Sequence, residues 1–295
     1  MMNVIDTHVH VWDLDHYRLP WLDGEGPVLK RTWAASNYVA DQATDHGYHV
    51  EQAVYIEVDM APEERPRENE LACQMVSDPG CIYGGACISG DMTIPEFDAY
   101  ITEWGAKPQI KGVRQVLHVP SAKPGTCLEP QFLANVRRLG ELGLVFEGCL
   151  RCPELRDLET VAKECPNTTI VLNHMGIVDA DIMGQANPSE EDRAYQDAWK
   201  RNMALLGRLD NVVCKVSGLN PMKPWSTENL ARSVDVALDA FDADKVVFAS
   251  NYPVLNIAMT FDEWVCAMLT ITEGLDAADR EALFAENARR VYGLK

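Results

Sequence analysis

Eight short runs rich in valine, isoleucine and leucine recur along this chain, separated by longer stretches with apolar residues at helical spacing. The runs are Val4–Val11, Gln52–Val58, Ile82–Ile88, Ile110–Val119, Leu144–Leu150, Thr169–His174, Asn211–Val216 and Lys245–Ala249. They are apolar on both faces, the pattern of parallel strands covered by helices on one side and packed inside on the other. The stretches Glu68–Val76, Gln131–Leu142, Glu154–Lys163, Glu190–Leu209, Thr227–Phe241 and Phe261–Leu269 predict helices. A last helix is expected over Asp276–Val291, with Asp276 as N-cap and Gly293 beyond its end. Strands alternating with helices make a parallel α/β architecture, and eight is the number that closes a barrel.

No Pro/Gly/Ser linker, low-complexity tract or internal repeat divides the chain, so residues 1–295 are expected to form one domain. Two connections exceed what packing needs: Trp12–Gln52 after the first strand and Met175–Glu190 after the sixth. Long ordered loops at strand C-termini are where barrels build their sites. The net charge of −19 argues against nucleic-acid binding and against an anionic membrane surface. No apolar run reaches the ~18 residues of a membrane span, and the N-terminus lacks the basic-then-apolar pattern of a secretory signal. A cytoplasmic protein is expected. Nine cysteines, an odd number, fit that compartment, and most sit in apolar stretches as small hydrophobes. Cys149 and Cys152 have a C-x-x-C spacing with no second pair, which is a weak metal or redox signal.

Residues two apart on a strand share a face. His8 and His10 therefore point the same way, together with Asp6, which sits at the wrong end of the strand for a site at its C-terminal end and is expected to be structural. Two imidazoles so placed can converge on one metal ion or one water, or be two hydrogen-bonded structural histidines. The same parity groups Glu57 with Tyr55 and Asp59, Arg114 with His118, Glu147 with Arg151, and Lys215 with Val213 and Ser217. The sixth run ends in His174 and the eighth in Ser250-Asn251-Tyr252-Pro253. Charged residues are almost never buried unpaired, so this many on core strands is best explained by one polar cup at the barrel's C-terminal face. The alternative for Glu57 and Glu147 is structural pairing with Arg114 and Arg151, and for Lys215 a buried structural cation. His118 is expected at or beyond the edge of the site. Trp12, Trp21 and Tyr252 either line the pocket or brace the loops.

Ile5-Asp-Thr-His8-Val-His10-Val-Trp12, His174, and Phe248-Ala-Ser-Asn-Tyr-Pro253 together resemble the amidohydrolase superfamily, and within it the group containing sugar-acid and pyrone-dicarboxylate lactonases. Arg18-Leu-Pro-Trp-Leu22, Lys111-Gly-Val-Arg114, Cys214-Lys-Val-Ser-Gly-Leu219 and Glu286-Asn-Ala-Arg-Arg-Val-Tyr-Gly-Leu294 extend the similarity over the whole chain. The resemblance implies a (β/α)8 TIM barrel whose site is formed by His8, His10, His174 and position 251. It also implies hydrolysis of a C–O or C–N bond, most often a lactone. One departure matters: the superfamily's strand-eight Asp is Asn251 here, and an amide has no oxygen basic enough to take a proton from water.

The expected function is therefore lactone hydrolysis by activated water on a small, anionic or polyhydroxylated substrate. His8, His10 and His174 would hold a divalent metal such as zinc, or act without one as hydrogen-bond donors. His174 or Glu57 would be the general base in place of Asn251, and Arg114, Arg151 and Lys215, with Trp12 and Tyr252, would bind substrate. Three cations against Glu57 and Glu147 leave the cup at 3 − 2 = +1, which favours an anionic substrate. Two other readings stay open: a decarboxylase of a small aromatic or unsaturated acid, and a non-catalytic binding protein lacking the strand-eight carboxylate. A homo-oligomer is also left open.

Overall fold

The computed structural model describes residues 1–42 and 45–295, so positions 43–44 of the long first connection lie outside it. All eight runs form strands: β1 Met2–Val9, β2 Tyr48–Ile56, β3 Tyr83–Ser89, β4 Ile110–Val116, β5 Val145–Cys149, β6 Ile170–Leu172, β7 Val212–Val216 and β8 Val246–Phe248. Every ladder is parallel and the order is sequential, β1 to β8. This is the expected (β/α)8 TIM barrel. The inward side chains Val54, Ile56, Cys87, Val145, Val171, Val213 and Val247 form their own buried cluster, capped by Tyr292. The outward ones pack under the helices, as where Phe146 meets Phe132 edge-on at 5.7 Å.

Each expected helix is present, with its ends shifted by a few residues: Arg65–Ser77, Pro130–Glu141, Leu155–Glu164, Glu190–Leu206, Thr227–Ala240 and Phe261–Ile271. The last is continuous from Ala277 to Tyr292 but widens into a π turn over Ala282–Glu286. Asp276 occupies its N-cap position without a capping side-chain bond, and Gly293 ends it in the left-handed conformation. Beyond short helices inside the connections, one barrel helix was not expected, Phe97–Gly105, although Phe97, Ile101 and Trp104 bury a single face at i, i+4, i+7 spacing. The sixth run yields only three strand residues because Asn173 turns its side chain to Glu147 and His174 is already left-handed, at φ 53°. The first long connection is ordered around a turn at Pro20–Gly24, a short helix at Ala35–Ala40 and a bridge between Trp12 and Trp33. No cysteine is in a disulfide, six of the nine are buried, and no described helix is long and apolar enough to cross a membrane.

Closure of the barrel between β1 and β8 rests on side chains more than on a ladder. Backbone contact there is one parallel bridge, Val9 to Tyr252, and the bonds Asn251 N–H to His8 O and His10 N–H to Tyr252 O. Thr7 Oγ1 donates to Phe248 O at 2.8 Å. Asp6, fully buried, accepts from Ser250 N and Oγ, His8 N and the Tyr38 hydroxyl. Burial pushes its carboxyl up to about 6 against the pull of those donors. Asp6→Ala strands four buried donors, so it is expected to lower unfolding free energy by roughly 3 kcal/mol or more in denaturant titration. A loss under 1 kcal/mol would show that the backbone bonds alone close the seam.

Candidate active site

The C-terminal ends of the strands surround a cavity of about 320 Å³ whose wall includes His10, Arg114, His174 and Asn251. Four of the expected site residues are thus brought together. Three strand ends at this face are held in the left-handed region, Asp59 after β2 (φ 51°), His174 after β6 (53°) and Asn251 after β8 (63°). Non-glycine residues settle there only when their surroundings over-determine them. For His174 the surroundings are visible. Its Nδ1 lies 2.8 Å from Ser217 Oγ, and its ring lies against Gly218, where a Cβ would come within 2.6 Å of the His174 Cγ. Gly218, itself at φ 69°, is therefore the residue that leaves room for the imidazole.

The remaining candidates lie beneath this wall. Lys215 Nζ, fully buried, donates to Thr7 O at 2.9 Å and to Glu147 Oε2 at 2.8 Å, and lies 3.3 Å from His8 Nδ1. His8 Nε2 is 3.1 Å from His10 Nε2, and His10 Nδ1 is 2.9 Å from Ile56 O. A carbonyl only accepts, so His10 carries its proton on Nδ1 and presents a lone pair at Nε2. His8 then donates from Nε2 and accepts from Lys215 at Nδ1. One directional chain of bonds results, from Lys215 through His8 and His10 to the β2 backbone. Both rings are neutral: burial, with the nearby cations, holds His8 well below the ordinary imidazole range and His10 down to about 3. The same causes lower His174.

Glu57 and Glu147 are both spoken for. Glu57 holds Arg114 Nε with Oε1 and the Asp59 N–H with Oε2. Glu147 holds Lys215 and Asn173 with Oε2 and the Tyr292 hydroxyl with Oε1. Neither reaches the cavity wall. The pairing expected between Glu57 and Arg114 is present, while Glu147 pairs with Lys215 and not with Arg151. Arg151 turns away, donating to Val119 O and Ala122 O and pairing with Glu154. Neither Lys215 nor Arg151, both expected to bind substrate, lies on the cavity wall. With only Arg151 gone from the count, Arg114 paired to Glu57 and Lys215 paired to Glu147 give 2 − 2 = 0 in place of the expected +1, and the wall adds Asp59 and Glu25.

Trp12 and Tyr252 brace loops and do not line the cavity: the Trp12 indole donates to Arg31 O, and the Tyr252 hydroxyl donates to Asp41 between the rings of Trp33 and Tyr38. Trp21, which packs edge-on against Trp12, is the aromatic at the wall. His118 lines the cavity too, its Nδ1 3.3 Å from Cys149 Sγ. Burial and the Arg114 charge lower His118 to about 4 and burial raises Cys149 to about 11, so a neutral thiol faces a neutral imidazole. His118 was expected at or beyond the edge of the site, and it and Asp59 both lie past the ends of their strands, where parity no longer places a side chain; for Cys149 the signal was its position ending β5.

The sequence matches the amidohydrolase family over residues 5–294. The chain belongs to the amidohydrolase family. It is an amidohydrolase-fold hydrolase, and its relatives span the whole chain. The L-fucono-1,5-lactonase of Burkholderia multivorans is 26% identical over 98% of this chain and 96% of its own. The structure of an amidohydrolase from Bifidobacterium longum subsp. infantis is 30% identical over the full length of both chains, with a TM-score of 0.75. A Burkholderia multivorans amidohydrolase solved with bound zinc is 23% identical over 99% of each chain, with a TM-score of 0.83.

Whether this amidohydrolase has a zinc cage of its own is decided by its donors. The 3.1 Å between His8 and His10 nitrogens is close to the roughly 3.3 Å expected of two ligands on one tetrahedral zinc, so that spacing is neutral. The second nitrogen argues against it. A zinc-bound imidazole donates its other N–H to a carbonyl or carboxylate, and His8 Nδ1 faces the Lys215 ammonium instead. The Arg114 guanidinium Nη1 lies 3.3 Å from the His8 Nε2 that would bind the ion. Among the described residues, the three ligand atoms that gather within 4.8 Å of one another belong to His46, Asp262 and Cys266, away from this cavity. His8, His10 and His174 do not fit a resident divalent ion.

Lys215→Met leaves Glu147 buried without its cation and is expected to cost about 3–5 kcal/mol in denaturant titration. Adding Glu147→Gln should return part of that. Equal stability of Lys215→Met and the parent would mean the pair carries no structural weight.

Proposed function

We propose that this protein opens a small, uncharged, polyhydroxylated lactone by adding water, without a resident metal ion. The observation that carries the reading is the charge of the cavity wall. Its cation, Arg114, is already matched by Glu57, and Asp59 and Glu25 face the same space. A substrate bearing carboxylates would meet net negative charge there, whereas a neutral sugar lactone would meet hydrogen-bonding groups. The cavity, near the lower end of the ~300–1,000 Å³ usual for ligand sites, suits a molecule of that size. The likeness to a sugar lactonase over nearly the whole chain supports the same substrate class.

Lactone hydrolysis needs the carbonyl polarised, a water aimed at its carbon, and somewhere for protons to go. Arg114 spends Nε and Nη2 on Glu57, which leaves Nη1 to meet the oxyanion that forms as water adds. One such donor is worth roughly 10²–10³ in rate. His10 has both ring nitrogens engaged, so on this wall the Asn251 amide is the group placed to orient the water. Glu57, with both oxygens engaged, and Asn251, an amide, are poor acceptors for its proton.

The test is proton release from neutral sugar-acid lactones and from a pyrone dicarboxylate, by untreated and chelator-treated protein. Turnover of the neutral lactones is expected, unchanged by the chelator, and lowered roughly 10²–10³-fold by Arg114→Met. Activity lost to the chelator and restored by zinc would overturn the metal-independent reading. Carbon dioxide release from aromatic acids without lactone opening would replace hydrolysis by decarboxylation. Ligand binding without turnover of either class would leave a binding protein.

A further inference from the structure

We infer that Asp59 is the general base that takes the proton from the attacking water, filling the place left by the amide at position 251. The inference rests on the lactone-opening reading and assigns a residue within it. Among the carboxylates near the cavity, Glu57 and Glu147 have both oxygens bonded. Asp59 and Glu25 lie on the wall, and Asp59 makes no side-chain hydrogen bond among the described residues. A carboxylate left unpartnered in a concave polar site is available for chemistry.

The support behind Asp59 separates it from Glu25. Glu25 ends a short turn in the first connection. Asp59 is fixed by its own backbone: its N–H donates to Glu57 Oε2 at 2.7 Å, and it is held left-handed at φ 51°. The other oxygen of Glu57 holds Arg114. One buried carboxylate therefore positions both the group that would receive the oxyanion and the group that would receive the proton, so the two keep a fixed relation. The charged groups acting on Asp59 are Glu57, Arg114 and Arg65. Partial withdrawal from water at the cavity wall first, and Glu57 second, raise its carboxyl to about 6 against the two arginines, the direction that base catalysis near neutral pH needs.

The step balances without a further reactant. Water oxygen bonds to the lactone carbonyl carbon as its proton passes to Asp59, and the carbonyl electron pair moves to the oxygen facing Arg114. Collapse re-forms the carbonyl and breaks the ring C–O bond. The proton on Asp59 then goes to the departing alkoxide, leaving a hydroxy acid and a regenerated carboxylate.

The experiment is the pH dependence of kcat/KM for neutral sugar-acid lactones in the parent, Asp59→Asn, Asp59→Glu and Asp59→Ala. Asn accepts a left-handed backbone, so Asp59→Asn should fold with an unchanged melting temperature. In the parent, activity requires the ionised carboxylate, so kcat/KM should fall tenfold per pH unit below about 6. Asp59→Asn should lose roughly 10²–10⁴-fold in kcat with little change in KM, and should lose the acid limb. Asp59→Glu should recover part of the rate, and added formate should restore turnover to Asp59→Ala. Near-parent activity of Asp59→Asn with the acid limb intact overturns the assignment while leaving lactone opening in place. A parent protein that opens no lactone overturns both, and is recognised because the parent itself fails.

Discussion

A lysine and a glutamate sealed together inside a protein lose more on leaving water than their mutual attraction returns, unless neighbouring groups satisfy the rest of their bonding capacity. Glu147 and Lys215 meet that condition with Asn173, the Tyr292 hydroxyl and the Thr7 carbonyl, and the position of His8 follows from them. Because Lys215 donates at Nδ1, the His8 proton is directed to Nε2 and toward His10, and His10 is in turn anchored to β2. A charge pair in the barrel interior thereby sets the tautomers two residues away at the cavity wall. Burial in this protein selects an orientation, which is a different return from stability.

The same wiring explains how the site departs from the metal-centred arrangement that the two-histidine motif suggests. An imidazole between two cations keeps its ring neutral and is a poor partner for a third. Negative charge instead faces the cavity from the β2 side, at Asp59, and the electrostatic axis of the site runs between β2 and β4. The relative that holds zinc shares the fold at 23% identity, which leaves ample room for a different donor set.

Much of the fold was legible because hydrophobic period is a property of single segments. All eight strands could be read from their two-sided apolar runs, and the missed barrel helix, Phe97–Gly105, carries the expected spacing in nine residues. The site was legible in part. Strand parity says which face a side chain occupies and not which neighbour it finds there, so Arg114 and His174 could be placed in the cup. Arg151 could not, because it lies past the end of β5, where the chain leaves the strand and alternation no longer applies. Lys215 has the right parity but sits one layer too deep. Asp59 lay in plain view beside Glu57, and only the left-handed turn after β2 distinguishes the exposed acid from the buried one.

The hydroxyl that completes the bonding of Glu147 belongs to Tyr292, 145 residues further along the chain. During synthesis the strands emerge in the order in which they pair, so much of the sheet can assemble as it appears. Its interior charges remain incompletely bonded until the final helix arrives beneath them. Until that helix docks, water must stand in for the Tyr292 hydroxyl at Glu147, so dry closure of the interior waits for the C-terminal segment. Sequential pairing of neighbours is in this way subordinated to a single late event, and the closing helix acts as the seal on the fold.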